Sequence, residues 1–275
     1  MKISNIIVTS LLSASVLFTG LGLEGKAIAK DVFPSMNDKR VKKEVAEMKA
    51  EGVTSKQIKE LYEMSKKEYS SVSTEEKAEA LYKESKKDIN QYIKNGVIDE
   101  YLPKYNEERE KRSVNAKSKS KSKSKSLGTK GDVLVSYDSG SSVIGLGHAA
   151  IVSTEKKQTV ESWHKNWSPI KQHGVRKYNN TWRTRKKVYG LWVKKSNNKK
   201  YINAAKYAEK QAKEKKPYNM NWLDKKTTKK FYCSQLAWRA WKNQGHDIDN
   251  IKFDTVVSPM ELVNSNNTKV FYHKK

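Results

Sequence analysis

Apolar positions in the first third of the chain recur at helical spacing. Val41, Val45 and Met48 share one face and Gly52 closes that segment. Thr54 with Gln57 forms a capping box ahead of Ile58, Leu61 and Tyr62. The same signature returns at Ser73 with Glu76, ahead of Ala78, Leu81, Tyr82, Ile89, Tyr92 and Ile93, with Gly96 as a stop. A last segment carries Val97, Ile98, Tyr101 and Leu102 and meets Pro103. These stripes are narrow, which predicts a small helical bundle, a propeptide-like arm or a set of partner-binding helices.

Further along, the period changes to two. Residues 132–137, 148–153, 159–163 and 187–194 read as strands, and the short polar connection 154–158 makes the second and third a hairpin. A helix is expected over 201–215, with Ala204, Ala205, Ala208 and Ala212 packing closely and Pro217 ending it. A second begins at Cys233, buries Leu236, Ala237, Ala240 and Trp241, and is capped by Gly245. Residues 270–272 read as a closing edge strand. Strands and helices in blocks, without regular alternation, predict an α+β domain.

All seven tryptophans lie between Trp163 and Trp241, so the carboxy-terminal half can build a substantial core. From Lys117 to Ser126 lysine and serine alternate without an apolar residue, the composition of an extended linker. The amino terminus combines Lys2, an apolar run from Ile6 to Leu23 and Ala27-Ile28-Ala29, the pattern of a cleavable secretion signal; the run is also close to the length of a membrane anchor, and Gly20, Gly22 and the small-residue site favour removal. The expected organisation is therefore a signal peptide over 1–29, a basic helical region over 30–114, a Lys/Ser linker over 115–128 and an α+β domain over 129–275. With the signal removed, no remaining stretch is long and apolar enough to span a bilayer. The chain is expected outside the cell, secreted or associated with the wall.

The formal net charge of +26 suits an anionic polymer of the cell envelope as partner, such as teichoic acid, phospholipid head groups or extracellular nucleic acid. Lysines that simply keep the surface soluble account for the charge equally well. The basic run 183–187 has aromatic neighbours, yet no recognised nucleic-acid fold accompanies it, so specific nucleic-acid recognition is not expected. No cluster has metal-ligand spacing and no Gly-rich loop has phosphate-binding form, so neither metal nor cofactor is expected.

Cys233 is the one cysteine of the chain. A lone thiol cannot staple its own chain, which leaves an intermolecular link, an inert buried thiol, a soft metal ligand or a nucleophile. Its place at a predicted helix start favours ionisation, because backbone N–H groups and positive dipole charge converge there. Among the five histidines, His148 stands between Gly147 and Ala149 at the head of an apolar strand, where small neighbours leave room. A core histidine bonded to backbone would suit the same position. Glu161 lies on the partner strand of the hairpin, within reach of an imidazole or, on the other reading, facing solvent. Trp163, Trp167, Trp182 and Tyr218 could line a groove or fill a core.

The ordered set Gly131-Asp132-Val133-Leu134, Gly147-His148-Ala149-Ala150-Ile151-Val152, Glu161-Ser162-Trp163, Phe231-Tyr232-Cys233-Ser234-Gln235-Leu236-Ala237-Trp238 and Val257-Ser258-Pro259 resembles the NlpC-type papain-like hydrolases. Its order, histidine strand before cysteine helix, is that of the circularly permuted YiiX/YebB-like branch. The resemblance runs from about Gly131 to the C-terminus. It implies a permuted papain-like antiparallel sheet with packed helices. Cys233 would be the nucleophile, His148 the base and acid, and Glu161 the residue orienting His148. Many unpermuted relatives carry His, Asn or Gln at that third place. Tyr232, just before the nucleophile, could help form an oxyanion site or be an ordinary packing aromatic, and Trp163 is, apart from the resemblance, a candidate substrate contact. The implied activity is cleavage of peptide or amide bonds in peptidoglycan. Two alternatives are hydrolysis of acyl or lipid esters and amides, and an inactive domain that only binds wall or host. The helical region could occlude the site until the linker is cut.

Overall fold

Six strands form one antiparallel sheet in the order β4-β3-β2-β1-β5-β6. The computed structural model describes residues 33–71, 125–136, 147–251 and 254–274, all within one unit, Phe33–Lys275. The expected signal peptide, the helical segments after 71 and most of the Lys/Ser run lie outside the described residues.

The sheet comprises β1 (Val133–Ser136), β2 (His148–Val152), β3 (Gln158–Trp163), β4 (Gly174–Asn179), β5 (Val188–Val193) and β6 (Thr268–Lys274). Central strands β1, β2 and β5 are buried along their whole length, as strands covered on both faces must be. The hairpin of β2 and β3 forms with Ile151 opposite Val160, and β6 closes one edge beside β5. The α+β class expected from the pattern is the class observed.

One face of the sheet carries the larger core, with Val133, Val135, Ala149, Ile151 and Val160 packed under α3 (Asn198–Lys213) and α4 (Cys233–Lys242). In α3, Ala204, Ala205, Ala208 and Ala212 are buried, and their small side chains let helix and sheet approach closely. Gly131 sits at φ +82°, and a Cβ there would overlap the Tyr201 carbonyl of α3. On the opposite face a smaller core gathers Leu134, Ala150, Val152, Trp182, Trp192 and Phe271. Leu127 belongs to it, and its backbone exchanges hydrogen bonds with the Asn180 side chain at 3.1 and 2.8 Å. Residues 125–128, expected as the end of the linker, are thus part of the domain, because one leucine there finds a buried socket.

Two elements escaped the pattern. Strand β4 offers only Val175 and Tyr178 as buried apolar side chains among charged neighbours, too few for a visible alternation. The short helix α5 (Pro259–Asn264) opens with a Ser258–Glu261 capping box and proline in its first turn.

Near the amino terminus, α1 (Lys39–Ala50) and α2 (Ser55–Ser71) form as expected. The Thr54 and Gln57 box is made on both sides, at 3.0 and 3.3 Å, and Gly52 takes φ +84° after α1. Val41, Met48, Val53, Ile58, Leu61 and Tyr62 join the larger core of the sheet domain. Asn166 also donates to Glu47 at 2.8 Å. These two helices are integral to the domain core.

Candidate active site

Cys233 is the first residue of α4, and the chain on either side of it is tied down. The Gln235 carboxamide accepts from the Tyr232 N–H and from Asn219 Nδ2, both at 3.1 Å, and its own Nε2 donates to the carbonyls of Asp224, Lys225 and Thr227. Ser162 Oγ donates to the Phe231 carbonyl at 2.6 Å, and Ser234 Oγ to the Val257 carbonyl at 2.7 Å. The sulfur therefore has a fixed position at a helix amino terminus, where N–H groups point outward.

His148 heads β2 beside it, 1% exposed. The His148 ring and the Cys233 sulfur are hydrogen-bonded. Nε2 of the ring lies 2.8 Å from Glu161 Oε2, which leaves Nδ1 for the sulfur. Trp163 stacks on the imidazole with centroids 3.6 Å apart and planes 27° from parallel. The ring is held at its face and at both nitrogens.

Glu161 is fully buried and serves as the hub. Besides His148 it accepts from Thr159 Oγ1 at 2.6 Å, Trp163 Nε1 and Trp182 Nε1 at 2.9 Å each, and Arg185 Nη2 at 3.3 Å. Arg185 in turn lies 3.9 Å above the Trp182 ring. Burial alone would raise the Glu161 pKa. The Arg185 charge and the hydrogen bonds from His148 and Thr159 outweigh it and hold the carboxyl well below its ordinary range.

The same balance runs along the array. Burial disfavours a charged imidazole, but the neighbouring thiol and Glu161 raise the His148 pKa above its ordinary value. Burial likewise opposes the thiolate. The charge and hydrogen bond of His148, with the N–H groups of Ala149 and Ser234 aimed at the sulfur, bring the Cys233 thiol down. A thiolate–imidazolium pair backed by a carboxylate is the state these shifts favour.

A cavity of about 360 Å³ opens onto Cys233 and His148. Trp163, Trp167, Tyr218, Trp222 and Tyr232 line it, as do Ile251, Asp254 and Val257. Tyr232 precedes Cys233, and its hydroxyl accepts the Val257 N–H at 3.0 Å, so this residue holds the cavity-lining Val257 in place. Among the described residues one group of carboxylates comes close enough to hold a cation, Asp249, Asp254 and Glu261. Lys225 Nζ occupies it, 2.6 Å from both Asp249 and Asp254 and 3.1 Å from the Val256 carbonyl. An ammonium group there ties Asp249, Asp254 and Val256 together.

No protein-family model matches this chain, and no curated protein matches it. A solved structure of the metalloprotein YiiX from Escherichia coli O157:H7 is similar at 14% identity and a TM-score of 0.39, over 53% of this chain and 97% of its own. A likeness of that size carries no argument, and the site rests on its own geometry.

The structure brings together Cys233, His148, Glu161, Tyr232 and Trp163, the residues singled out from sequence. It adds Thr159, which sequence reasoning placed on the Glu161 strand without a role, and Trp182 and Arg185, which it considered for other contacts. Arg185 belongs to the basic run 183–187 considered for nucleic-acid contact, and it turns inward onto Glu161. Its neighbour Arg183 bonds the Ser126 carbonyl at 2.6 Å and lies over the Tyr272 ring. Trp182, considered for a groove or for the core, is fully buried. A signal for both was the Trp-x-x-Arg spacing, which sets an indole donor and a guanidinium one short turn apart.

Proposed function

We propose that this chain is an exported cysteine hydrolase of permuted papain-like type, acting by acyl transfer. The observation that carries this reading is the buried array Cys233, His148 and Glu161 opening onto a cleft. In the proposed reaction the Cys233 thiolate attacks a carbonyl carbon and an S–C bond forms. The N–H groups of Ser234 and Ala149 stabilise the oxyanion, with Tyr232 beside them. Imidazolium His148 gives its proton to the leaving nitrogen or oxygen as that bond breaks. His148 then takes a proton from water, whose oxygen attacks the thioester. Collapse of that intermediate releases the carboxylic acid and restores the thiolate–imidazolium pair. Glu161 keeps the imidazole oriented and stabilises its charged form.

Amide bonds of peptidoglycan are the substrate we favour. The +26 charge supports this, since it draws the protein to an anionic envelope. A second reading, hydrolysis of acyl esters or amides, is favoured by the apolar lining of the cleft. Mass spectrometry of purified cell wall after incubation with the protein separates the two. New muropeptide fragments, lost in Cys233→Ala, are the expected result. Unchanged muropeptides together with release of fatty acid from acyl esters would move the assignment to the second reading.

A further inference from the structure

Two histidines outside the candidate active site face one another where α1 meets the sheet domain. The rings of His164 and His173 lie 5.4 Å apart, close to edge-on. His164 is 3% exposed, with Nδ1 3.6 Å from Glu47 Oε2 of α1 and Nε2 3.9 Å from Glu51 Oε1 at the cap of that helix. Trp167 and Tyr218, which line the cavity of Cys233, stand against the same imidazole at 5.0 and 6.0 Å between ring centroids.

His173 has a fixed tautomer. The Tyr218 N–H donates to its Nε2 at 3.2 Å, so the ring proton sits on Nδ1, which is buried without a hydrogen-bond partner. A second proton can enter only at Nε2. There it meets the Tyr218 N–H, two donors face each other, and the bond is lost. The surroundings of the pair resist that proton. Burial is the largest influence on His164 and disfavours its charge, as does Lys165, against Glu47 and Glu51 in its favour. Burial again leads at His173, joined by His164, Lys165 and Arg176, with Glu51 opposing them. Both imidazoles are thereby held below the ordinary histidine value. A group so held stabilises the folded arrangement while neutral, and loses that contribution as pH falls from the ordinary histidine range.

We propose that the His164–His173 pair is an acid-sensitive joint, which holds α1 against the Tyr218 side of the cleft at neutral pH and releases it on protonation. Its bearing on catalysis rests on the hydrolase reading, in which the wall of the active site is firm at neutral pH and loosened in acid. The joint itself is a matter of packing and protons, so it is tested without substrate.

Backbone hydrogen exchange of residues 39–50 and 217–223 is followed by mass spectrometry in the full mature chain at about pH 7.5 and about pH 5.5, corrected for the pH dependence of exchange itself. Linkage lets each released histidine raise local opening by at most about tenfold per pH unit, and a rise of about threefold or more per unit is expected in both segments. His164→Gln with His173→Gln should leave opening the same at both pH values within about twofold, because neither carboxamide titrates. The imidazole resonances of His164 and His173 in the unaltered chain, followed by NMR, should titrate below free histidine. That second measurement decides if the double variant does not fold. Opening that is indifferent to acid, an acid response that survives the double variant, or resonances that titrate at or above free histidine overturn the joint. A Cys233 thiol no more reactive than free cysteine counts against the hydrolase reading instead, and leaves the exchange result standing.

Discussion

Glu161 is a buried carboxylate whose charge is stabilised by five donors from four side chains around it and the imidazole it serves. An unpaired charge in that position would cost several kcal/mol. Paired, it fixes the imidazole and favours its charged form. Glu161→Gln removes the charge while keeping the shape. Hydrolysis should then fall by about 10²–10⁴-fold, in line with neutralising an orienting carboxylate. Arg185→Met removes one charge-assisted hydrogen bond, worth about 1.5–3 kcal/mol, and should lower activity roughly ten- to hundredfold. Both substitutions should raise the apparent pKa of the Cys233 thiol, measured by its thiolate absorbance against pH. A merely structural role for Arg185 predicts lost stability with that pKa unmoved. At this scale a lone thiol at a helix start, a histidine at the head of a strand and a carboxylate on its hairpin partner pointed to Cys233, His148 and Glu161, and the family resemblance implied their roles. Arg185 was hidden, since in a chain this rich in lysine a basic run looks like surface.

The elements deliver these side chains through close approaches. Gly131 precedes β1 and lets the backbone touch α3, and Trp241 Nε1 of α4 donates to the Gly131 carbonyl at 3.1 Å. Gly131→Ala forces a Cβ into the Tyr201 carbonyl at positive φ, and it should lower stability by about 2–4 kcal/mol in denaturant titration. Helices with caps and regular apolar stripes were readable in advance, as were strands buried on one or both faces. Strand β4 was not, because an edge strand beside solvent needs few apolar residues. Residues 125–128 were misplaced for a related reason. One buried leucine and a run of backbone hydrogen bonds leave little trace in composition.

For the whole molecule, the main change concerns the amino-terminal helices. Sequence separated them from the sheet domain by composition and linker. Packing unites them, through apolar side chains whose partners lie more than a hundred residues away and could not be paired from local pattern. They share the domain core and α2 lines its cleft, so the binding surface of the proposed enzyme draws on both ends of the chain. In the proposed function the charge of +26 draws the protein to an anionic envelope at long range.

The central claim is that Cys233 is an activated nucleophile paired with His148. Its most direct measurement is the rate of Cys233 alkylation by iodoacetamide as a function of pH, in the unaltered chain and in His148→Ala. Because the thiol is held below its ordinary range, the rate should rise and level off at lower pH than for free cysteine. His148→Ala should move that rise up towards the ordinary thiol range, since burial is then opposed only by the N–H groups of Ala149 and Ser234. A profile matching free cysteine, or one left in place by His148→Ala, would contradict the account.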